Sequence, residues 1–375
     1  MRSGHRLHPT QTAAQPDLRR AVRYQPHSPL RTELNRRVQA YFADSGRRPH
    51  GGPRIWVKTA VVLAWFAASY LALVYVAGPW WQAVPVALSL SLSVAAIGFN
   101  IQHDGGHDAY ARSRGGNLLS SWALDLVGAS SYVWRFKHSI VHHHYTNVEG
   151  ADEDIDAAPF MRLSPQQRRH AIHRLQHWYA WLLFSFLPAK WAFYDDFACV
   201  LRGRVGSQPV PFPKRLDLAV FVVGKLVFFG WVFAVPLLAG HSFGVVLSFY
   251  ALCSGVTGVC LSVVFQAAHC VEEADFPKAP AAGTRMERPW AEHQLATTVD
   301  FAPRNAVLTW FLGGLTHQIE HHLFPRISHI HYPALAPIVR ATCAEYGVPY
   351  RSHGSFRSAI ASHVRHLRRL GLPTT

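Results

Sequence analysis

The chain has 375 residues, and its 37 Lys and Arg against 22 Asp and Glu give a net charge of +15. Only 16% of the residues are charged and 49% are hydrophobic, whereas an average soluble domain has about 25% charged residues. This composition excludes a disordered or collagen-like chain. The five cysteines form no C-x-x-C pair, which argues against a disulfide framework or a zinc ribbon and fits the reducing side of a membrane.

Residues 1–54 are predicted to form a basic N-terminal tail. The first long apolar run begins only near Trp56, so no cleavable signal peptide is expected. A short amphipathic helix is predicted within the tail from the helical spacing of Leu34, Val38, Tyr41 and Phe42.

Four apolar runs predict membrane-spanning helices, because each is long enough to cross about 30 Å of hydrocarbon. The runs cover residues 59–77, 84–101, 218–239 and 245–268. A soluble protein with four buried core helices is the alternative, but a chain of this size can hardly bury four such runs. The third run contains one charge, Lys225, which is predicted to extend back to the membrane interface as an anchor.

The four runs pair into two hairpins. The connectors Gly78–Ala83 and Gly240–Gly244 carry no Lys or Arg, whereas the N-terminal tail and residues 102–217 are rich in Arg. By the positive-inside rule, both termini and the long middle segment are therefore predicted to be cytoplasmic. In a bacterium this membrane would be the cell membrane.

The segments outside the runs are predicted to lie at the membrane surface or in the cytoplasm. Trp178–Val200 is aromatic but interrupted by a proline and several charges, so it is expected to lie in the interface rather than to span. Ile338–Leu370 is predicted to be a surface segment, and residues 356–375 a basic C-terminal tail. Residues 55–355 would then form the membrane domain.

The 24 histidines include three clusters at the predicted cytoplasmic ends of apolar segments. They are His103 and His107 in HDGGH, His138, His142 and His143 in HSIVHHHYTN, and His317, His321 and His322 in HQIEHH, with His269 at the end of the fourth run.

The spacing within these clusters favours a site for two metal ions. Helical residues i and i+4 lie about 6 Å apart on one face, so His103 with His107, and His138 with His142, can each bind one ion. Adjacent histidines diverge by roughly 100° around a helix and are better placed for two neighbouring ions. A third helically spaced set, His170, His173 and His177, has no partner cluster and is predicted to be a solvated face.

Imidazole ligands alone suit zinc, copper, iron and nickel. The H-E-x-x-H zinc motif is absent, and structural zinc sites favour cysteine. An oxygen-activating di-iron site facing lipid is therefore favoured. A histidine-rich metal transporter would need ligands near the middle of its spans, and a nucleic-acid-binding role has no motif to support it. The predicted fold is an all-α integral membrane protein, with four transmembrane helices in two hairpins and a cytoplasmic helical cap that holds the two metals.

Around the histidines, the segments GFNIQHDGGHDAY, WRFKHSIVHHHYTNVEGADED, FQAAHCVEEADFP and HQIEHHLFP resemble the membrane fatty acid desaturase family. The resemblance covers roughly residues 31–355. The three histidine clusters correspond to the histidine boxes of this family. In the third box, Q-x-x-H-H, Gln318 stands where many desaturases have His, and this variant resembles the linoleoyl-type and front-end acyl desaturases.

The resemblance implies an enzyme that uses two iron ions and O2 to introduce a cis double bond into a long-chain fatty acyl substrate. The implied iron ligands are His103, His107, His138, His142, His143, His321 and His322, with His269 as a further ligand. Gln318 occupies a ligand position and His317 ranks second to it.

Other residues near the boxes are assigned supporting roles by the resemblance or by proximity. His293 is a candidate for orienting a ligand, and His144 is expected to be a neighbour. Nearby carboxylates are expected either to accept N–H bonds from ligating imidazoles or to be capping or solvated groups. They are Asp104, Asp108, Asp152, Glu153, Asp154 and Glu320.

The electrons are expected to come from a separate protein. The nearest match to the His-Pro-Gly-Gly haem motif of fused b-type cytochrome domains is Pro49-His50-Gly51-Gly52-Pro53, which lacks the proline after histidine. An acidic ferredoxin-type donor with its reductase is predicted, and the basic chain would attract both this donor and anionic lipid heads.

The acyl substrate is expected to lie in an apolar tunnel of the cap, with the double-bond position, the chain length and the acyl carrier left open. A hydroxylase or acetylenase on the same scaffold is the main alternative. A catalytically inactive lipid-binding relative is a further one.

Overall fold

The structure is a computed structural model that describes residues 23–206, 208–280 and 284–373. The first 22 residues of the predicted basic tail lie outside this range. The described strands are short: β1 (Arg23–Gln25), β2 (Arg204–Val205), β3 (Gln208–Pro209), β4 (Arg285–Pro289), β5 (Asp300–Phe301) and β6 (Ser352–His353). β1 pairs with β4 and β5 pairs with β6 in parallel, and β2 pairs with β3 in an antiparallel hairpin.

The rest of the architecture is helical. The first half of the chain contains α1 (Pro29–Ser45), α2 (Gly52–Val76), α3 (Trp80–Gly106), α4 (Arg114–Ser121), α5 (Ala123–Leu126), α6 (residues 131–145), α7 (Gln176–Ser185) and α8 (residues 187–202). The second half contains α9 (Leu216–Leu238), α10 (Phe243–His269), α11 (Trp290–Thr297), α12 (Ala306–Phe311), α13 (Gln318–Leu323), α14 (Tyr332–Glu345) and α15 (Phe356–Gly371). Short 3₁₀ turns lie at Glu153–Ile155, Ala171–Leu175 and His329–His331.

Four described helices are long and apolar enough to cross a membrane, and they are the four predicted from the apolar runs. They are α2, α3, α9 and α10. The second helix extends five residues past the predicted end of its run, to Gly106. This extension places the first histidine box on the helix itself.

The two predicted hairpins differ in how tightly they close. α2 packs along α3, and α3 packs along α10, which also contacts α7 and α8. α9 packs mainly on α5 and meets α10 near the connector between them. The space left among the four spans is an apolar cavity of about 150 Å³, lined by side chains such as Leu90, Phe228 and Phe249.

Lys225 was predicted to extend to the membrane interface, but it does not. Its ammonium is buried and donates hydrogen bonds to Asp196 Oδ2 at 2.6 Å and to the carbonyl of Gly128 at 2.7 Å. Asp196 lies on α8, so the ion pair joins α8 to the middle of α9. The lysine thus has a structural role, but its charge is neutralised inside the protein.

The C-terminal segment is not a surface tail, because α15 carries one face of small, apolar and histidine side chains. Ala359, His363, His366 and Leu367 are all fully buried. His363 Nδ1 donates to the carbonyl of Cys270, just past the end of α10. The helix therefore packs against the end of a membrane span and against α7.

The amphipathic helix predicted within the N-terminal tail is present, whereas the prediction for His173 needs correction. α1 is longer than the predicted amphipathic helix, and its buried Leu30 and Leu34 pack against α14. His173 was expected on a solvated face, but it is 1% exposed and its Nε2 donates to the carbonyl of Pro159 at 2.8 Å.

Candidate metal centre

The histidine boxes converge from four helices that are far apart in sequence. His103 and His107 lie at the end of α3, and α6 carries the second box. α13 carries the third box, and His269 is the last residue of α10. The chain folds into π-helical turns at Gly98–Gln102 and Arg135–His142, next to the first two boxes. Such turns are rare and often occur at functional sites.

Most of the predicted ligands fall into two main groups that could each hold a metal ion. In each group the candidate ligand atoms lie within 4.8 Å of one another. The first group is His103, His107, His138 and His321. The second group is His142, His269 and His322. The predicted pair His103 and His107 shares the first group, with ring centroids 4.9 Å apart. The predicted pair His138 and His142 has ring centroids 5.1 Å apart but is divided between the two groups.

His143 lies between the two groups. Its ring centroid is 4.5 Å from that of His107 in the first group and 4.3 Å from that of His322 in the second. His143 also forms a third set of nearby ligand atoms with His321 and His322. The adjacent pair His321–His322 therefore directs its two rings toward different groups, as expected for a dinuclear site, and His143 lies beside both of these rings.

In the second group, each ring uses Nδ1 to donate a hydrogen bond away from the cluster. His142 donates to Asp152 Oδ2 at 2.9 Å, and His322 donates to Gln294 Oε1 at 2.9 Å. His269 donates to the carbonyl of Thr297 at 3.2 Å. These bonds fix the tautomer, so the Nε2 lone pair of each ring is left to face inward.

Several inward nitrogens are buried and have no hydrogen-bond partner among the described residues. They are Nε2 of His107, His138, His142, His321 and His322, and both ring nitrogens of His143. Leaving so many buried polar atoms unpaired is costly, and metal coordination would satisfy them. A pair of metal ions therefore fits this cluster.

The electrostatics of the cluster keep most of its imidazoles in the form that binds metal. His142 is the exception, because burial would lower the pKa of its ring but Asp152 and Asp154 outweigh burial and raise it. Burial and the neighbouring imidazoles lower the pKa of His143, His321 and His322 well below the usual value. These rings are therefore neutral at pH 7, and neutral imidazole is the ligating species.

One of the predicted carboxylate contacts lies beside the first group. Asp154 Oδ2 is 3.6 Å from His138 Nδ1, and Asp154 Oδ1 is 3.1 Å from Lys137 Nζ. Burial would raise the pKa of the Asp154 carboxyl, but Lys137 and the histidines outweigh burial and hold it below its usual value. The carboxylate is thus ionised and can accept a bond from the His138 ring.

Other predicted carboxylate contacts go elsewhere. Asp104 accepts a hydrogen bond from His329 Nδ1 at 3.0 Å, and the other nitrogen of that ring lies 3.0 Å from Lys58 Nζ. Glu320 accepts from Tyr350 at 3.0 Å. These carboxylates therefore form hydrogen bonds that hold the segments beside the candidate ligands. They do not hydrogen-bond to the candidate ligating rings.

The remaining candidates are placed as follows. Gln318 is the first residue of α13 and is buried, and His317 precedes it with Nδ1 3.0 Å from Thr316 Oγ1. His293 Nε2 donates to the carbonyl of Thr146, directly after the second box. His144 is exposed and, within the described chain, is not in either metal group.

Sequence reasoning missed several side chains that surround the centre. Gln294 also accepts from Thr146 Oγ1 at 3.0 Å, and Tyr332 lies 3.2 Å from His321 Nδ1. The Trp134 ring stacks on His138 at 4.6 Å and contacts His107 edge-on at 5.3 Å. Only Trp134 had a signal in the sequence, because it precedes His138 by four residues on the same helix face.

Comparison with known proteins gives a consistent result. Residues 79–354 match the family model described as fatty acid desaturase. The matched range contains all three histidine boxes and His269.

The similar curated proteins span nearly the whole chain. A protein from Arthrospira platensis named sn-1 linoleoyl-lipid 6-desaturase is 35% identical over 343 residues, which is 92% of this chain and 93% of that protein. One of the same name from Synechocystis sp. is also 35% identical, over 91% of this chain and 95% of the relative. An acyl-lipid (8-3)-desaturase from Physcomitrium patens is 38% identical over 90% of this chain and 71% of its own length.

Proposed function

We propose how this chain, which belongs to the fatty acid desaturase family, acts on lipid. As a member of this family it is an oxidoreductase and an integral membrane protein. It introduces a cis double bond into a long acyl chain of a membrane lipid, using O2 and two iron ions held by the histidine cluster. The observation that carries this proposal is the set of inward-facing, unpaired imidazole nitrogens.

The ligands divide between the two ions according to the groups described above. One ion would be held by His103, His107, His138 and His321, and the other by His142, His269 and His322. His143 lies close enough to both groups to serve either ion. Gln318 is an additional candidate ligand from α13, and His317 ranks after it.

Bound iron would supply the reduction of O2 and the removal of hydrogen from unactivated methylenes, which amino-acid side chains do not perform. The protein's residues hold and tune the site. Asp152 and Gln294 orient His142 and His322 through their Nδ1 hydrogens. Burial of the cluster excludes water and keeps His143, His321 and His322 neutral.

The redox balance requires an external electron source. Removing two hydrogens from adjacent methylenes releases two electrons, while reducing O2 to two waters consumes four. Two further electrons and two protons must therefore enter with each turnover. We assign the electrons to a ferredoxin-type protein and its reductase, which approach the cytoplasmic face that the positive-inside rule gives to both termini and to the site.

The names of the relatives guide the choice of bond. Relatives are named 6-desaturase and Delta(5) fatty acid desaturase, and acyl-lipid appears in several names. We extend this to the present chain: the oxidised bond lies near the carboxyl end of an acyl chain esterified to a membrane lipid.

The test is a fatty acid profile. The protein is expressed together with a ferredoxin and its reductase in a host without its own desaturase, and double bonds are located by mass spectrometry. A new unsaturated chain that is absent with His142→Ala is expected. A hydroxylated chain would favour a hydroxylase, and protein purified without iron would contradict the di-iron assignment.

A further inference from the structure

A second cavity, of about 330 Å³, lies beside the histidine cluster and is bounded by α6, α8 and the β2–β3 hairpin. Trp134 forms part of its wall. Because the same indole stacks on His138 and contacts His107, one side chain separates this cavity from the candidate metal centre. The volume is within the range of small-molecule sites, which begins at about 300 Å³.

The basic side chains of this cavity are unusual for a buried acyl chain. Lys137, Lys190, Arg202 and Arg204 line it. Arg202 and Arg204 are exposed at its mouth. An acyl chain alone would be matched by an apolar lining, so this cavity is suited to a polar ligand.

Carboxylates balance these basic groups. Glu153, Asp156, Asp195 and Asp196 line the same cavity. Lys190 pairs with Asp195 at 2.7 Å, and Asp196 pairs with Lys225 behind the wall. In a chain of net charge +15, this cavity is thus close to neutral. It matches a head that is zwitterionic or polyhydroxylated better than it matches a polyanion.

The position of the cavity indicates that its ligand comes from the bilayer. Trp191 and Tyr194 line it from α8. On the outside of α8, Phe193 is 50% exposed and Leu201 is 81% exposed. Aromatic residues with an apolar outer face are typical of the membrane–water interface, which is the level of lipid head groups.

We propose that this cavity binds the polar head and ester of the lipid whose acyl chain is oxidised, and that the head has no net charge. The inference rests on the proposed function, which puts the oxidised bond only a few methylenes from the ester. A head group must then lie close to the metals. This polar cavity meets the requirement, because only the Trp134 indole separates it from the candidate metal centre. The thioester of a polyanionic carrier such as coenzyme A is disfavoured, because a cavity without net positive charge does not compensate the phosphates.

The test compares one acyl chain on different carriers. Wild-type protein is supplied with ferredoxin, its reductase and dilinoleoyl phosphatidylcholine, dilinoleoyl phosphatidylglycerol or linoleoyl-CoA in detergent. The variants are Glu153→Gln and Arg204→Gln. Matched controls are Glu287→Gln and Arg357→Gln, whose side chains are exposed outside the cavity.

Wild type is expected to use phosphatidylcholine at least tenfold better than linoleoyl-CoA. Each cavity variant should raise KM for phosphatidylcholine about tenfold with kcat nearly unchanged, while the controls should match wild type. A preference for phosphatidylglycerol, or cavity variants with unchanged KM, would overturn the inference and leave the proposed function standing. A preference for linoleoyl-CoA would also contradict the membrane-lipid substrate of the proposed function.

Binding can also be tested without turnover. Phosphatidylcholine that carries a photoreactive group in its head is irradiated with the full-length protein, and labelled peptides are mapped by mass spectrometry. Labelling of residues 187–206 that is reduced by Arg204→Gln supports the inference even if no product forms, in which case only the proposed function fails. Labelling elsewhere contradicts the inference.

Discussion

Asp152 and His142 form a buried pair in which Asp152 Oδ2 accepts the Nδ1 hydrogen of the ring at 2.9 Å. The same carboxylate oxygen accepts the backbone N–H of Asn147 at 2.9 Å, so a turn of the chain holds the carboxylate in place. Nε2 of His142 therefore has a fixed direction, into the candidate metal centre. This relationship makes His142 the most informative proposed ligand to remove.

His142→Ala is expected to abolish desaturation, because it removes a proposed ligand and leaves the buried Asp152 carboxylate with backbone donors alone. Activity is measured by product analysis, and bound iron by elemental analysis of the purified protein. His144→Ala is the matched control, since its side chain is exposed and adjacent in sequence. His173 is unsuitable as a control because it is buried and hydrogen-bonded. Equal activity in wild type and both variants would remove the support for the di-iron assignment.

Gln294→Leu is expected to lower iron affinity or activity by about 10- to 100-fold, the usual effect of losing a group that orients a ligand. The substitution removes the acceptor for His322 Nδ1 and for the Thr146 hydroxyl. Gln294→Glu keeps an acceptor and should retain most of the activity. The Mössbauer spectrum of iron-loaded protein reports the ligand environment directly, and it should change in the Leu variant. An unchanged spectrum would mean that Gln294 has no part in orienting His322.

The sequence predicted the spans and the clustering of the histidines well, and for clear reasons. A run of 18 or more apolar residues has few alternatives to a membrane helix. The i,i+4 spacing of His103 and His107 requires a shared face once the segment is helical. Both predictions depend on local pattern alone.

The partners of these residues depend on tertiary structure and were not predictable in the same way. Gln294 and His322 are 28 residues apart on different helices. Asp104, for which contact with a ligating imidazole, helix capping and solvation were equal expectations, accepts a hydrogen bond from His329, 225 residues away. Lys225 pairs with Asp196, which lies in the segment Trp178–Val200 that was predicted to be an interfacial helix. Asp196, one of the charges that interrupt this segment, is thus part of the buried framework.

The buried pair between Lys225 and Asp196 leads to a stability prediction. Removing one partner of a buried ion pair leaves an uncompensated charge and costs about 3–5 kcal/mol. Lys225→Met should therefore destabilise the protein by this amount. The double variant Lys225→Met with Asp196→Leu should recover part of the loss. It leaves no uncompensated charge, but the Gly128 carbonyl and the Ser130 N–H lose a hydrogen-bond partner.

Unfolding in detergent with increasing denaturant measures these changes. Lys190→Met is the control, because the Lys190 side chain is 59% exposed in its pair with Asp195 and exposed ion pairs contribute about 0–1 kcal/mol. If Lys225→Met and Lys190→Met had equal effects, the pair between α8 and α9 would not stabilise the fold.

The packing of α15 predicts that the C-terminal segment is required for folding. Ala359 is fully buried against residues of α10, whereas Arg357, two positions earlier, is exposed. Ala359→Asp should reduce the yield of monodisperse protein sharply, because it buries an unpaired charge. Arg357→Asp should behave like wild type. Size-exclusion chromatography of both variants in the same detergent distinguishes a packed helix from a surface tail.

The final prediction concerns the pH dependence of stability and the carboxyl of Asp125 on α5. Burial raises its pKa to about 7, with a further contribution from the charge of Asp196, although the contact with Ser131 and the charge of Lys225 act in the opposite direction. Between the unfolded pKa of about 4 and pH 7, the native state therefore keeps a proton that the unfolded state has lost. Stability must then fall as the pH rises through this window, by up to about 1.4 kcal/mol per pH unit.

Asp125→Asn removes this dependence because its amide does not ionise. The free energy of unfolding is measured for wild type and Asp125→Asn at each half unit between pH 5 and 8, and the difference between the two proteins isolates this carboxyl from the histidines. The stability of the variant relative to wild type should grow from pH 5 to about 7 and then level off, since above this pH the native carboxyl is also ionised. Parallel curves for the two proteins would mean that Asp125 is already ionised in the folded protein and that Lys225 balances both Asp125 and Asp196.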